Sequence, residues 1–130
     1  MSNVLLKDRK ESTMQYVQTA IHLLKHSTAM CLKMPKRYTF VISTDLVKTA
    51  QEIFKDVVHI LDTYNNDKLK IQLCERIIAR LDYLSSMLNV AYVYAENKIT
   101  DNQWEVWIGL IVKELGLIKG VKKKLTPGSC

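Results

Sequence analysis

Glycine and proline are scarce in this sequence. Four glycines and two prolines occur among 130 residues, too few for the many turns that a β-sandwich or β-barrel needs. Three of the glycines (Gly109, Gly116 and Gly120) lie near the C-terminus, so the middle of the chain is almost free of helix-breaking residues. This scarcity excludes turn-rich all-β folds and favours helices.

Paired cysteines and long apolar runs are also missing. The three cysteines, Cys31, Cys74 and Cys130, form no CxxC pair, and an odd number of unpaired cysteines suits a reducing compartment. No apolar run reaches the ~20 residues of a membrane span, and residues 1–11 are too charged for an export signal. We therefore expect a cytoplasmic protein without a membrane partner, in which Cys31 and Cys74 are small buried apolar side chains.

The motifs of common enzymes are not found. The sequence has no P-loop, no dinucleotide-binding glycine motif and no HExxH. His22 and His26 have the spacing of a two-ligand metal site, but no carboxylate shares their predicted face, so we interpret them as solvated surface residues. We expect no catalytic residue, no metal and no cofactor. A metal-dependent helical enzyme that uses these histidines is the remaining alternative.

Acidic residues recur along the second predicted helix, interleaved with Lys48, Lys55 and His59. Mixed charges on one helical face are typical of a solvated, ion-paired surface rather than of a carboxylate pair tuned for acid–base chemistry. We assign that surface role to Asp45, Glu52, Asp56 and Asp62.

Apolar residues recur at spacings of three and four in four segments, which is the period of core-facing helices. The third segment is the most regular, with Cys74, Ile77, Leu81, Leu84, Leu88, Ala91 and Ala95. The other predicted core stripes are Met14, Val17, Ile21, Leu24, Thr28 and Cys31; Ser43, Leu46, Ala50, Ile53, Val57, Leu61 and Tyr64; and Trp104, Ile108, Ile111, Leu115 and Ile118.

Helix caps and short connections arrange these segments in space. Ser12 is a candidate N-cap, and Thr100 with Gln103 forms a candidate capping box. The second helix is predicted to end at Tyr64, and the third to cover roughly residues 68–97. So short a connection makes the two helices an antiparallel hairpin. We predict an all-α, up-down-up-down four-helix bundle over residues 1–124, followed by a flexible tail over 125–130.

A second stripe lies beside the core stripe of the third helix. It repeats at four-three-four-three-four: Arg76, Arg80, Tyr83, Met87, Val90 and Tyr94. A wide apolar face can serve a well-buried helix, but exposed apolar patches also mark subunit interfaces. We favour a homo-oligomer. The predicted interface residues are Tyr83, Met87, Val90, Tyr94, Trp107 and Leu110.

Cations are unevenly distributed in a chain of net charge +6 and pI near 9.2. The clusters are Lys33, Lys36 and Arg37 in the stretch KMPKRYTF; Arg76 and Arg80; and Lys119, Lys122, Lys123 and Lys124. In an up-down bundle the first and last clusters lie at opposite ends. We predict that these residues contact the phosphates of an extended polyanion, with solvated charges as the alternative. Pro35, Tyr38 and Phe40 are expected to set the turn and pack the start of the second helix.

A family resemblance rests on KMPKRYTF, the helix RIIARLDYLSSMLNVAYVYA and the helix start ITDNQWE. Over about residues 12–124 the chain resembles the accessory variability determinant proteins of diversity-generating retroelements. These belong to a wider four-helix-bundle group that includes proteins encoded in 23S rRNA intervening sequences. The positions that match are Pro35, Arg37, Tyr38, Phe40, Arg76, Arg80 and the basic end of the fourth helix.

The resemblance implies a homopentameric barrel of four-helix bundles with a basic surface. It also implies binding to a reverse transcriptase and to RNA or RNA/DNA, in support of mutagenic cDNA synthesis from a template RNA, without catalytic residues or cofactors. This chain departs from the pattern because it is only modestly basic and its second helix carries several acids. The alternative is an adaptor of the intervening-sequence group that has no reverse transcriptase partner.

Overall fold

The computed structural model describes residues 15–127, which form a four-helix bundle. Each helix packs against its neighbour in sequence, and α1 also packs against α4, so the bundle is closed. The helices are α1 (Gln15–Cys31), α2 (Thr44–Asp62), α3 (Asp67–Tyr94) and α4 (Asp101–Leu125). The predicted all-α four-helix bundle is confirmed. None of the described helices carries an apolar stretch long enough to cross a membrane.

The predicted capping box of α4 is confirmed, whereas α2 and α3 both end before the predicted residues. Thr100 and Gln103 form the capping box, and the Asn66 side chain accepts a hydrogen bond from the Leu69 amide at 3.1 Å. Helix α3 ends at Tyr94, earlier than predicted, because two residues, Glu96 and Asn97, take left-handed φ values of 55° and 62°. The predicted N-cap and the first core position, residues 12 and 14, lie outside the described residues.

The core stripes of α2 and α3 lie where the apolar spacing places them. All seven predicted residues of α3 are buried, as are five of the seven predicted for the second helix, namely Ser43, Leu46, Ala50, Ile53 and Val57. Leu61 is half-buried, and Tyr64 has 85% of its surface exposed. Its side chain cannot join the α2 stripe because that helix ends at Asp62.

The buried faces of α1 and α4 are rotated from the predicted ones. On α4, Trp107 and Glu114 take the core positions predicted for Ile108 and Leu115. The Trp107 ring stacks on Trp104 with 5.5 Å between centroids, and its Nε1 donates a hydrogen bond to the buried Ser27 Oγ at 2.9 Å. A large ring whose N–H has a buried partner gains more from burial than a β-branched aliphatic side chain.

The same rotation is seen on α1. Thr28 is exposed, and Ile21, Leu24 and Cys31 are half-buried. The α1 residues in the apolar core are Val17, Ala20, Leu23 and Met30.

Glu114 is a fully buried acid within this core. Neither of its carboxylate oxygens has a hydrogen-bond partner among residues 15–127. Burial raises its pKa from 4.5 to about 8, and the nearby Lys113 opposes this shift only in part. The carboxyl group is therefore mainly protonated at neutral pH, which avoids the cost of a charge in the apolar interior.

This raised pKa predicts a pH dependence of stability. The unfolded state releases the Glu114 proton at lower pH than the folded state, so the free energy of unfolding falls as pH rises from about 5 to about 8. We expect a fall of roughly 3 kcal/mol from this group. Denaturant titrations at several pH values should show that Glu114→Gln removes this part of the slope. Parallel pH profiles for the two proteins would contradict the assignment.

Candidate nucleic-acid interface

The end of α4 carries the densest group of cations in the described chain. Lys119, Lys123 and Lys124 are exposed and form no ion pair within residues 15–127, whereas Lys122 pairs with Glu75 of α3 at 3.3 Å. Lysines in the last turn are favoured there by the partial negative charge of the helix C-terminus. These four residues, the α4 lysine cluster, present positive charge on a regular helix rather than on a frayed tail.

Two further cations lie at the start of α3, at the end of the bundle where α4 ends. The contact between Lys122 and Glu75 places the end of α4 against the first part of α3, where Lys68 is exposed and Lys70 is partly exposed. Both were missed by sequence reasoning because they are about fifty residues away along the chain. The predicted antiparallel order of α3 and α4 could have identified them, because it places the start of α3 at the same end of the bundle as the end of α4.

The cations of KMPKRYTF lie at the opposite end of the bundle, as predicted. Lys33 and Lys36 are exposed and have no acidic partner in the described part of the chain. Arg37 forms an ion pair with Glu96, which follows the end of α3, and its guanidinium lies 4.9 Å from the centre of the Tyr38 ring. The two lysines are therefore freer than Arg37 to meet an external anion.

The two aromatic residues of this stretch have different roles. Tyr38 packs partly against the core, and its ring lies 5.1 Å from that of Tyr94, as expected for a residue that fixes the turn. Phe40 is 92% exposed, so the prediction that it packs the start of the second helix is wrong. The cause is a π-helical turn over Thr39–Ser43, which directs Phe40 outward.

Arg76 and Arg80 are tied to α2. Arg76 donates two hydrogen bonds of 3.0 Å to the two carboxylate oxygens of Asp56. Arg80 also binds Asp56 and lies 3.6 Å from Glu52. These ion pairs hold α2 against α3 and neutralise the arginine charges, so they weaken the prediction that both residues bind phosphate.

Asp56 is the central residue of this network. Only 5% of its surface is exposed, so the prediction of a solvated carboxylate is wrong here. The α2 face that carries it is turned toward α3, and the two guanidinium groups replace the water that it loses. A separate contact between α3 and α2 is made by the Tyr83 hydroxyl, which donates to Asp45 at 2.5 Å.

The residues predicted for an oligomer interface differ in exposure: some lie in the core of the bundle and others on its surface. Trp107 is fully buried and cannot reach a second copy, so its assignment to an interface is wrong. Met87 and Leu110 pack partly against the core. The exposed large apolar side chains of α3 are Tyr83, Val90, Tyr92, Val93 and Tyr94. The Tyr92 ring packs edge-on against Trp104 of α4, at 5.4 Å between centroids.

The two histidines of α1 have different surroundings. His22 is exposed, as predicted. His26 is half-buried, so its predicted solvation is wrong: its Nε2 lies 3.0 Å from the Gln103 carbonyl oxygen, and its ring meets Trp107 edge-on at 5.9 Å. Among residues 15–127 no three or more His, Cys, Asp or Glu side chains are grouped so that they could hold a metal ion.

Both cysteines within the described range are free thiols. Cys74 is fully buried, as predicted, whereas Cys31 is half-buried. Burial raises the pKa of Cys74 to about 11 and that of Cys31 to about 12. Both thiols are therefore protonated, and poor nucleophiles, at neutral pH.

Comparisons of the chain with protein-family models, with curated proteins and with solved structures find no match. The four-helix bundle is thus established by the structure of this chain, and its function is inferred from surface chemistry and from the resemblance described above.

Removing only the arginines of the Asp56 network should destabilise the fold more than removing the arginines and the Asp56 charge together. Changing Arg76 and Arg80 to Met keeps apolar cover over Asp56 but leaves a buried carboxylate unpaired, which should cost about 3 kcal/mol or more. Adding Asp56→Asn to that double variant removes the buried charge and should recover part of the loss. Urea titrations measure both changes, and a triple variant less stable than the double variant would show that the network does not act through charge pairing.

Proposed function

We propose that this chain is a non-enzymatic protein that binds RNA or RNA/DNA through phosphate contacts of the α4 lysine cluster. The observation that carries the proposal is the last turn of α4, where consecutive lysines stand on an ordered helix and no acid occurs from Leu115 to Cys130. Contacts of this kind bind the backbone without reading its sequence and weaken steeply with salt.

The binding role fits an accessory subunit better than an enzyme. The resemblance to the accessory variability determinant proteins supports a partner reverse transcriptase, which the bundle would assist by holding template RNA or cDNA. The α4 lysine cluster carries this role together with Lys33 and Lys36 at the other end. Arg37, Arg76 and Arg80 contribute less, since each is paired with an acid of its own chain.

Assembly into a homo-oligomer, a pentamer by the resemblance, belongs to the same proposal. Its support is the end of α3, where Val90, Val93 and Tyr94 are exposed. Apolar side chains grouped in this way commonly mark an interface between subunits. A ring of bundles would also repeat the α4 lysine cluster and so strengthen binding to a long polyanion.

A protein-only adaptor of the intervening-sequence group is the second candidate. The observation that favours it is a patch of exposed apolar residues at the junction of α1 and α2, namely Leu32, Phe40 and Val41. Apolar side chains of this kind add little to phosphate binding and much to protein contacts.

The first test is a salt titration of binding to a structured RNA. We expect the variant with alanine at Lys119, Lys123 and Lys124, which are exposed and unpaired within residues 15–127, to bind more weakly. The slope of log K against log salt should flatten by about 0.7–0.9 for each phosphate that the variant no longer neutralises. Filter binding or fluorescence anisotropy measures both quantities.

The matched control removes the same charge from other exposed positions, with alanine at Lys25, Lys55 and Lys113. We expect this control to change the slope much less. Equal losses of affinity in the two variants would mean that net charge alone attracts RNA. A wild-type chain that does not bind RNA even at low salt would leave the adaptor as the better proposal.

The oligomer is tested separately. Val90→Glu places a charge on the exposed face of α3, where it should disrupt an interface without disturbing the core. Native mass spectrometry should show a multimer for the wild type and a smaller species for the variant. Gln51→Glu at an exposed position of α2 adds the same single charge and is the control, and a monomeric wild type would contradict the proposal.

A further inference from the structure

An open groove lies between the end of α1 and the start of α2. Its volume is about 860 Å³, and its lining includes Leu32, Met34, Phe40 and Val47. Leu32 and Phe40 are 82% and 92% exposed. Two large apolar side chains at the edge of one groove form a surface that gains stability when it is covered.

The local backbone creates this groove. Residues Thr39–Ser43 form a π-helical turn immediately before α2, and such turns occur frequently at functional sites. The wider turn directs Phe40 and Val41 to solvent while Ile42 and Ser43 point inward. The aromatic ring therefore stands beside the groove instead of filling it.

A buried hydroxyl group lines the same groove. Ser43 Oγ is shielded from solvent and makes no hydrogen bond of ordinary geometry within residues 15–127. Its contact with the Cys31 thiol, which also lines the groove, partly opposes the rise in the Cys31 pKa. Because this hydroxyl is shielded and contacts a thiol, it is not available to a bound ligand, and recognition at the groove rests on the exposed apolar side chains and the flanking charge.

The charge at the groove is positive. Lys36 and Lys48 are among the residues that line it, and none of those lining residues is acidic. Both lysines are exposed, and neither forms an ion pair within the described chain. An occupant with an apolar face and carboxylates at its edges would match both the lining and the charge.

We propose that this groove binds an amphipathic helix of a partner protein, with an apolar face and acidic residues on its flanks. A small molecule fits less well because such ligands are usually 70–90% enclosed, whereas Phe40 and Leu32 stand almost free. A helix laid along an open apolar groove is a common mode of recognition. The proposal goes beyond RNA binding and does not depend on it.

The experiment uses the full chain and a fluorescent helical peptide about 18 residues long, with leucines on one face and glutamates beside them. Anisotropy should show binding of this peptide and not of a scrambled peptide of the same composition. The variant Leu32→Ser/Phe40→Ser should bind at least about tenfold more weakly. Both substitutions are at exposed positions, so thermal melting should show that the fold is retained.

The matched control is Tyr64→Ser, which removes an equally exposed aromatic ring at the other end of α2 and should leave peptide binding unchanged. Lys36→Ala/Lys48→Ala should weaken binding most at low salt. Each of these results supports the groove as a site for an acidic helix.

Other results overturn the proposal. Equal binding of the scrambled peptide, or no effect of Leu32→Ser/Phe40→Ser, would exclude specific recognition. A smaller oligomer of that variant in sedimentation would assign the groove to a second copy of the chain. Loss of RNA binding by the same neutral variant would assign it to nucleic acid. Because the variant keeps every lysine of α4, a failure here is distinct from a failure of the proposed function.

Discussion

Burial of one face of α3 is the constraint on which the rest of the structure depends. Helix α3 packs against both α2 and α4, and its stripe from Cys74 to Ala95 is buried along its whole length. That packing fixes the register that places Asp56 against Arg76 and Glu75 against Lys122. The positions of the charged groups on the surface therefore follow from the apolar core.

Regular spacing made α2 and α3 predictable, whereas α1 and α4 have more apolar residues than core positions. On α4 either Ile108 or Trp107 could have faced inward, and the choice depended on Ser27, a hydrogen-bond partner eighty residues away. No pattern in the sequence predicts that the carboxyl group of Glu114 is buried. Its burial follows from its position on the helix face that Trp107 and Ile118 already occupy.

The sequence predicted which cations belong to the candidate site, but not which of them are free to bind an external anion. The sequence shows where cations cluster, yet the pairing of Arg37 with Glu96 and of Arg76 with Asp56 depends on the fold. The exposure of Phe40 could not be predicted either, because it arises from a π-helical turn rather than from apolar spacing. What remains unpaired is mainly lysine, a flexible charge suited to phosphate contacts that do not discriminate sequence.

Chemical protection on the unmodified chain is the most direct test of whether RNA meets the α4 lysine cluster. Lysines are acetylated with and without bound structured RNA, and mass spectrometry measures the extent of acetylation at each residue. We expect protection at Lys119, Lys123 and Lys124, and unchanged reactivity at Lys25 and Lys55. Protection spread evenly over all exposed lysines, or confined to other surfaces, would contradict binding at the end of α4.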